Sequence, residues 1–235
     1  MKAQSLTALL AANSYPGRGI LLGRTADKAV AVYFIMGRSE NSRNRIFVPT
    51  EDGIRTQAHD PAKMTDPALI IYHPVRRVGD SLIVTNGDQT DTIRDALREG
   101  KSFPEALAGR TFEPDAPHYT PRISGLLSRS GGFWLSILKP EEGNPACCCR
   151  CFYHYDAPPA GEGRFLHTYR RDGNPLPAFA GEPVRVSLDA PDAQTLSREI
   201  WDALDRDNRV SLFVRYTNLS DGKFQDAIVN RWEVR

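Results

Sequence analysis

A chain of 235 residues is long enough for one sizeable domain or at most two small ones. Hydrophobic residues make up 40% and charged residues 25%, as in ordinary soluble proteins, and the net charge of +1 lacks the basic excess of proteins that coat DNA or RNA. No apolar run approaches the roughly 20 residues that span a bilayer, so we expect neither a membrane nor a nucleic-acid partner.

The N-terminal segment, residues 1–19, carries a lysine and a short apolar stretch, so it could be a signal peptide or a surface helix. Leu6–Ala12 is short and weakly hydrophobic, and its apolar residues follow an amphipathic helical pattern. We therefore predict a surface helix.

Strand signals dominate the chain. Gly19–Gly23 and Lys28–Gly37 predict one hairpin around the intervening polar turn, and Leu69–Val78 and Ser81–Thr85 predict a second around Gly79-Asp80. The same kind of pattern predicts later strands at Phe133–Leu138, Ala146–Tyr155, Arg164–Tyr169, Val184–Leu188 and Arg209–Tyr216.

Helices are fewer. Thr90–Glu99 has an apolar face and ends at Gly100, Phe103–Gly109 predicts a short helix, and Ala193–Leu204 is amphipathic with Asp192 placed to cap it. Antiparallel strands with helices inserted between them predict an α+β fold in which two sheets pack together with helices outside. We expect residues 1–235 to form a single domain.

The four cysteines, Cys147, Cys148, Cys149 and Cys151, occur in one short segment. Adjacent residues of a strand point to opposite faces, and no distant Cys or His pair completes a zinc pattern. We interpret the cysteines as small buried residues of a core strand and expect a reduced, cytoplasmic setting without a bound metal.

The segment 37–45 follows a strongly apolar strand and carries Arg38, Ser39, Arg43 and Arg45. Guanidinium groups bind phosphate bidentately and stay charged at all relevant pH values, so this loop predicts a phosphate or carboxylate site. Its composition is equally typical of a solvated polar hairpin loop, and both interpretations stay open.

The segment 86–92 leads from a strand into a helix, where free backbone N–H groups favour an anion. It consists of Asn86, Gly87, Asp88, Gln89, Thr90, Asp91 and Thr92. Capping needs only one Asp or Thr, and this segment supplies two of each, which favours a ligand site over a capping role.

Two further segments contain candidate catalytic groups. Glu113 and Asp115 precede Arg122 in a proline-rich loop, and partial burial of Glu113 would raise its pKa towards neutrality and suit it to acid–base catalysis. Such a loop composition is common, so a purely structural role fits as well. Tyr72 is predicted to lie in a strand, where it could also be a core aromatic residue.

Several short segments, in this order, resemble those of one known family over roughly residues 17 to 125. They are Gly17-Arg18-Gly19-Ile20, Tyr33 running to Arg38-Ser39, Asn44-Arg45, Val78-Gly79-Asp80, Asn86-Gly87, Thr90-Asp91-Thr92-Ile93 and Thr120-Pro121-Arg122-Ile123. By these segments the chain resembles the archaeal-type IMP cyclohydrolases.

The resemblance implies a four-layer αββα sandwich of two mostly antiparallel sheets, similar to the N-terminal-nucleophile hydrolases. It also implies dehydrative ring closure of 5-formamidoimidazole-4-carboxamide ribonucleotide to IMP, the last step of IMP synthesis, without a metal or redox cofactor. By resemblance Arg45, Tyr72 and Glu113 are the catalytic residues. We assign Arg45 and Tyr72 to the developing oxyanion and Glu113 to proton transfer, and Arg43 is the rival to Arg45.

The remaining polar groups are expected to bind the purine nucleotide. They are Arg38, Ser39, Arg43, Asn86, Gly87, Asp88, Thr90, Asp91, Thr92 and Arg122. Two alternatives stay open, an amide hydrolase with a processed N-terminal nucleophile and a nucleotide-binding protein without turnover. The sequence leaves the oligomeric state open, including a homo-oligomer.

Overall fold

The computed structural model describes residues 2–64, 67, 70–142 and 144–232. Its helices are α1 (Leu6–Ala11), α2 (Glu40–Arg43), α3 (Gln89–Arg98), α4 (Phe103–Leu107) and α5 (Ala193–Ala203), with a short 3₁₀ helix at Pro61–Lys63. Its strands are β1 (Arg18–Arg24), β2 (Lys28–Met36), β3 (Arg45–Thr50), β4 (Gly53–Ala58), β5 (Val75–Val78), β6 (Ser81–Thr85), β7 (Arg122–Ser128), β8 (Phe133–Glu141), β9 (Asn144–Tyr155), β10 (Glu162–His167), β11 (Val184–Ser187), β12 (Arg209–Asn218) and β13 (Phe224–Asn230).

The strands form two sheets. One has the order β11-β10-β1-β2-β12-β13, the other has the order β3-β4-β5-β6-β7-β8-β9, and the neighbouring strands of both pair antiparallel. Strands from both ends of the chain lie in the first sheet, because β1 pairs with β10 and β2 pairs with β12. The prediction of an α+β fold with two mostly antiparallel sheets is confirmed.

Three apolar clusters show how the layers pack. The first lies between α1, α5 and the six-stranded sheet, the second lies between the two sheets, and the third lies between the seven-stranded sheet and helices α3 and α4. Strand β2 faces both ways, since Val32 and Phe34 join the first cluster while Tyr33 and Ile35 join the second. This alternation follows from the two-residue period of a strand that is buried on both faces.

The predicted helices are present with ends shifted by one or two residues, and Asp192 caps α5 by accepting from the backbone N–H of Thr195 at 2.7 Å. Gly100 follows α3 with φ of +79°, a conformation that glycine adopts without strain. The first hairpin is confirmed as β1–β2. No helix in the described part of the chain is long and apolar enough to cross a membrane.

The first strand of the second hairpin is shorter than the predicted Leu69–Val78. Strand β5 begins at Val75, so residues 70–74, including Tyr72, lie outside it, and Leu69 lies outside the described residues. Pro74 supplies no N–H to a strand ladder, which accounts for the late start. The prediction that Tyr72 lies in a strand is therefore wrong.

The interpretation of the cysteines as core residues is also wrong. They lie on β9, the edge strand of the seven-stranded sheet, where all of them are free and only partly buried. Residues two apart share a face of a strand, and Sγ of Cys149 lies 3.7 Å from Sγ of Cys151. Cys151 and Cys148 pack against the second and third apolar clusters, but on this edge strand none of the four cysteines is fully buried.

Candidate active site

The structure brings three distant side chains together between the two sheets. Arg45, Tyr72 and Glu113 are 2%, 6% and 5% exposed. They are close enough for each to influence the ionisation of the others, since Arg45 lowers the pKa of both Glu113 and Tyr72. Burial of a carboxyl and a guanidinium in one place is costly unless they meet a partner, so this cluster is a candidate catalytic site.

Arg45 is the first residue of β3 and is positioned by the turn before it. Its Nε donates to the backbone oxygen of Ser42 at 3.0 Å, at the end of α2. That short helix is fixed by a capping box, in which the Ser39 hydroxyl accepts from the N–H of Ser42 and the Ser42 hydroxyl accepts from the N–H of Ser39. Within the part of the chain that the structure describes, no hydrogen bond involves the two terminal nitrogens of Arg45, so they can donate to a ligand.

Tyr72 is held by side-chain and backbone hydrogen bonds to Thr56, where a strand ladder is lacking. The hydroxyl of Thr56 in β4 accepts from the backbone N–H of Tyr72 at 2.9 Å, and the backbone N–H of Thr56 donates to the backbone oxygen of Tyr72 at 2.8 Å. The chain can thus leave the sheet before Pro74 without leaving its backbone polar groups unpaired. The Tyr72 ring then lies inside the molecule, with its hydroxyl 2.8 Å from the hydroxyl of Tyr33.

Glu113 is presented by a loop that closes on itself. Its backbone N–H donates to the oxygen of Thr120 at 2.9 Å. Asp115 accepts from both the backbone N–H and the hydroxyl of Thr120, and that hydroxyl also lies 2.6 Å from the Tyr169 hydroxyl. These contacts fix the loop between α4 and β7, and they point the Glu113 carboxyl inwards.

Burial raises the pKa of the Glu113 carboxyl to about 7, against the opposing influence of Arg18, Arg122 and Arg45. Within the described residues, no hydrogen bond reaches this carboxyl. A carboxyl that titrates near neutrality can both give and take a proton at the operating pH, which is what acid–base catalysis requires.

The raised pKa has a consequence for stability. A carboxyl titrates near 4.5 when unfolded, so the folded protein binds the Glu113 proton more tightly, and its free energy of unfolding falls as the pH rises from about 4.5 to about 7. Glu113→Gln removes this loss and should be more stable than the parent protein at pH 8, by up to roughly 3 kcal/mol, but not at pH 4. Urea unfolding of both proteins at pH 8 and pH 4 measures this difference in the free energy of unfolding. The exposed control Glu51→Gln should follow the parent, and a Glu113→Gln difference that is the same at both pH values would contradict the raised pKa.

The sequence patterns did not predict two further site residues of this cluster, Arg18 and Tyr33. Arg18 begins β1, and its Nε is buried without a hydrogen-bond partner among the described residues. Its pKa is raised because, although burial opposes the charge, Tyr15, Glu113, Tyr169 and Tyr72 surround it. Tyr33 is fully buried in β2. Both stood inside the segments that carried the family resemblance, but only the fold shows that they face Glu113 and Tyr72.

The segment 86–92 lies at the start of α3, as predicted, but most of its polar groups bind the protein itself. The Asn86 side chain donates to the oxygen of Pro121 and accepts from Ile123 and Gln89, all within 3.1 Å. The Thr90 hydroxyl contacts the Thr85 hydroxyl and donates to the oxygen of Gly87. A side chain at Gly87 would collide with Arg122 and Gln89. These groups join α3 to β7.

The charged members of the same segment form ion pairs. Asp88 is bound by Arg122 at 2.7 Å and by Arg110 at 2.5 Å, whereas Asp91 is bound by Arg76 at 2.8 Å and by Arg94 at 3.2 Å. Thr92, one position further along, is partly buried. Of the residues in these ion pairs, Arg122 lies near the cluster of Arg45, Tyr72 and Glu113, since it lowers the pKa of Glu113.

The arginines of the segment 37–45 diverge. Arg38 points to the Asp172–Gly173 turn, donating to Asp172 Oδ1 at 2.5 Å and to the Gly173 oxygen at 3.0 Å, and its guanidinium lies 5.0 Å from the centre of the Tyr15 ring. Arg43 donates to the oxygen of Gly37 and to Asn208. Arg45 alone of the three enters the buried cluster.

A cleft of about 590 Å³ opens beside the Glu113 loop. Its lining includes Pro117, His118 and Tyr119, which follow Glu113 in the chain, as well as Lys139 and Arg170. Its size is that of small-molecule sites, and it carries two cations and an aromatic ring. Among the described residues, no group of three or more His, Cys, Asp or Glu side chains is arranged so that it could hold a metal ion.

Comparison with known proteins extends the resemblance far beyond residue 125. The sequence model of a family described as IMP cyclohydrolase-like protein matches residues 15–223. A protein of Methanopyrus kandleri named IMP cyclohydrolase is 36% identical over 159 residues, which is 66% of this chain and 75% of that protein. Proteins of the same name from Methanosphaera stadtmanae and Methanocella arvoryzae are 30% and 29% identical, over 54% and 80% of this chain and 64% and 86% of their own lengths. The family match covers all of β1 to β12 and every residue of the buried cluster, and the chain therefore belongs to the IMP cyclohydrolase-like protein family.

Proposed function

We propose that this chain closes the purine ring of IMP, converting 5-formamidoimidazole-4-carboxamide ribonucleotide to IMP and water. Membership of the family and the names of its relatives support this activity. The structural observation that carries it is the buried Glu113 carboxyl, with a pKa near 7, facing the guanidinium groups of Arg18 and Arg45. A proton carrier beside a positively charged surface suits a reaction that moves protons and develops an oxyanion.

In the first step the carboxamide nitrogen forms a bond to the formyl carbon, and the C=O π electrons move to the formyl oxygen. Glu113 as carboxylate takes one proton from the attacking nitrogen, since an amide nitrogen is a poor nucleophile while it keeps both protons. The formyl oxygen then takes the proton that Glu113 holds, and it leaves as water with the proton that the formamide nitrogen loses as the ring C=N bond forms. The protonation state of Glu113 is restored, and the sequence needs no redox change.

Arg45 and Tyr72 are proposed to donate hydrogen bonds to the formyl oxygen as it becomes negative. Each such donor contributes on the order of 3 kcal/mol when it is preorganised in a site that excludes water. Arg45 is preorganised by Ser42 and Tyr72 by Thr56. Arg18 adds a second positive charge beside Glu113, and holding the carboxamide and formyl groups in contact lowers the barrier further.

We propose that the nucleotide is bound around this cluster by the polar groups of the segments 37–45 and 86–92 together with Arg122. Within that set the hydrogen bonds favour different tasks. Asn86, Gly87 and Thr90 support the wall formed by α3 and β7, whereas Arg38, whose present partner is the exposed Asp172, can exchange that carboxylate for a phosphate.

Replacing Arg38 tests the assignment of the phosphate. Arg38→Ala should raise KM about tenfold or more and leave kcat within a few-fold, because a group that binds ground state and transition state equally affects binding alone. Steady-state kinetics with the formylated nucleotide measures the split. Arg129→Ala, in the turn after β7 where its partner is Asp80, is the matched control and should leave both constants unchanged. An unchanged KM in Arg38→Ala would remove Arg38 from this role.

The function itself is tested by incubating the purified protein with the formylated nucleotide and following IMP by chromatography and absorbance. Conversion above the uncatalysed rate supports the proposal. Binding of IMP without conversion would instead indicate a nucleotide-binding protein, and release of formate or another amide-cleavage product would indicate an amide hydrolase.

We further propose that the two-sheet sandwich is of the four-layer αββα type that the N-terminal-nucleophile hydrolases share, and that the chain acts as one domain in the cytoplasm. Support for one domain comes from the sheets, since β1 and β2 pair with β10 and β12 across most of the sequence. In this proposal the fold serves a reaction that does not use an N-terminal nucleophile.

A further inference from the structure

Two tyrosine hydroxyls meet in the middle of the molecule. The hydroxyl oxygen of Tyr33 lies 2.8 Å from that of Tyr72, and both residues are buried. Tyr33 comes from β2 of the six-stranded sheet, and Tyr72 comes from the segment beside β4 of the seven-stranded sheet. This hydrogen bond therefore crosses from one sheet to the other at the candidate active site.

The Tyr33 hydroxyl has no second partner in the part of the chain that the structure describes. Its ring is stacked on Phe47 with 5.6 Å between ring centres, and the side chain is 0% exposed, so it has no freedom to turn elsewhere. A buried hydroxyl without a hydrogen bond destabilises the fold, and the hydrogen bond of the Tyr33 hydroxyl is the one to Tyr72. The pair is thus fixed by packing before any substrate binds.

We propose that Tyr33 is a positioning residue, which donates its hydrogen bond to the Tyr72 hydroxyl and so directs the Tyr72 proton to the developing oxyanion of the substrate. This inference rests on the proposed function and deepens it, since it assigns a task to a residue that does not itself contact the reacting atoms. The direction of the bond follows from the hydrogen count. Each hydroxyl has one proton, so when Tyr72 gives its proton to the substrate, the bond between the two tyrosines persists only with Tyr33 as its donor.

The effect of this arrangement grows along the reaction. As Tyr72 donates to the oxyanion its own oxygen becomes more negative and a better acceptor, so the bond from Tyr33 strengthens in the transition state. Interactions that strengthen only in the transition state raise kcat and leave KM almost unchanged. Burial raises the pKa of both tyrosines, so both hydroxyls keep their protons at neutral pH and can act as donors.

A double-mutant cycle tests the proposal. Tyr33→Phe should lower kcat about tenfold with KM unchanged within twofold, the size expected for losing a hydrogen bond to a group that becomes charged. Tyr72→Phe should lower kcat more, by about 10²-fold or more. In the Tyr72→Phe background the Tyr33→Phe change should have almost no further effect on kcat, because Tyr33 acts through the hydroxyl that is already gone.

Tyr216→Phe is the matched control, since it removes another buried hydroxyl bond, from Tyr216 to the oxygen of Ala190, under α5. It should leave kcat unchanged in both backgrounds. Additive losses in the double variant, or a Tyr33→Phe effect on KM alone, would contradict the positioning role.

A second measurement does not depend on turnover. In protein labelled with ¹³Cζ-tyrosine, Tyr33→Phe should shift the resonance of Tyr72, and Tyr216→Phe should not. An unchanged Tyr72 resonance would overturn the proposal even if the parent protein lacked the proposed activity, whereas an inactive parent with a shifted resonance would refute only the proposed function.

Discussion

Replacing Glu113 with glutamine is expected to lower kcat for ring closure by about 10²- to 10⁴-fold, the range that a positioned acid–base group contributes. The glutamine keeps the size of the buried side chain but can neither take the carboxamide proton nor return it to the leaving water. KM should change little, because the nucleotide is bound by other groups. The same variant should be the more stable one at pH 8, so loss of activity and gain of stability are expected together.

The measurement is a pH profile of kcat/KM for the parent protein beside single-turnover rates for Glu113→Gln. The profile should rise with pH through about 7, where the carboxylate becomes available to take the first proton. Glu105→Gln is the matched control, because Glu105 is an exposed residue of α4 whose capping box glutamine can maintain. A Glu113→Gln protein with the parent rate would refute the assignment.

Changing Arg45 to lysine should lower kcat by about 10²- to 10³-fold, whereas the same change at Arg43 should leave kcat within a few-fold. Lysine keeps a charge but lacks the planar set of donors that holds a guanidinium to Ser42 and leaves its terminal nitrogens directed at the substrate. Arg43 donates instead to Gly37 and Asn208 and stays outside the buried cluster. The pair of variants therefore decides between the two arginines.

Both variants should first be compared by thermal unfolding, because Arg45 is almost fully buried and Arg43 supports the same turn. The kinetic comparison is then made with folded protein at saturating substrate. A large loss of kcat in Arg43→Lys with a normal rate in Arg45→Lys would reverse the assignment. Equal, small losses in both would remove this turn from the catalytic step.

The strands and helices that the sequence predicted are those with strong local signals. β1, β2 and β6 are continuous apolar runs, and α3 and α5 have a single apolar face with a cap or a glycine at one end. Four strands were not predicted, namely β3, β4, β7 and β13. The edge strands β3 and β13, as well as β4 and β7, include polar residues, proline or glycine, and their neighbours in the sheet supply the pairing that local propensity does not.

The candidate site divides in the same way. Apart from the family resemblance, Glu113 could be predicted as an acid–base residue only on the condition that it is buried, and burial is a property of the folded chain. The fold also separates Arg45 from Arg38 and Arg43, which the composition of the loop does not distinguish, although the family resemblance favoured Arg45 with Arg43 as its rival. It uses Asn86 and Thr90 in hydrogen bonds within the protein, although the sequence presents them as free polar groups.

The sequence by itself therefore determined the α+β class, the first hairpin, helices α1, α3, α4 and α5 and the segments from which a site could be built, because these depend on the periodicity and chemistry of neighbouring residues. The tertiary structure alone decided that Arg18, Tyr33, Arg45, Tyr72 and Glu113 face one another. Contacts between residues far apart in the chain depend on strand order and register, and the pKa of Glu113 depends on the burial that those contacts create.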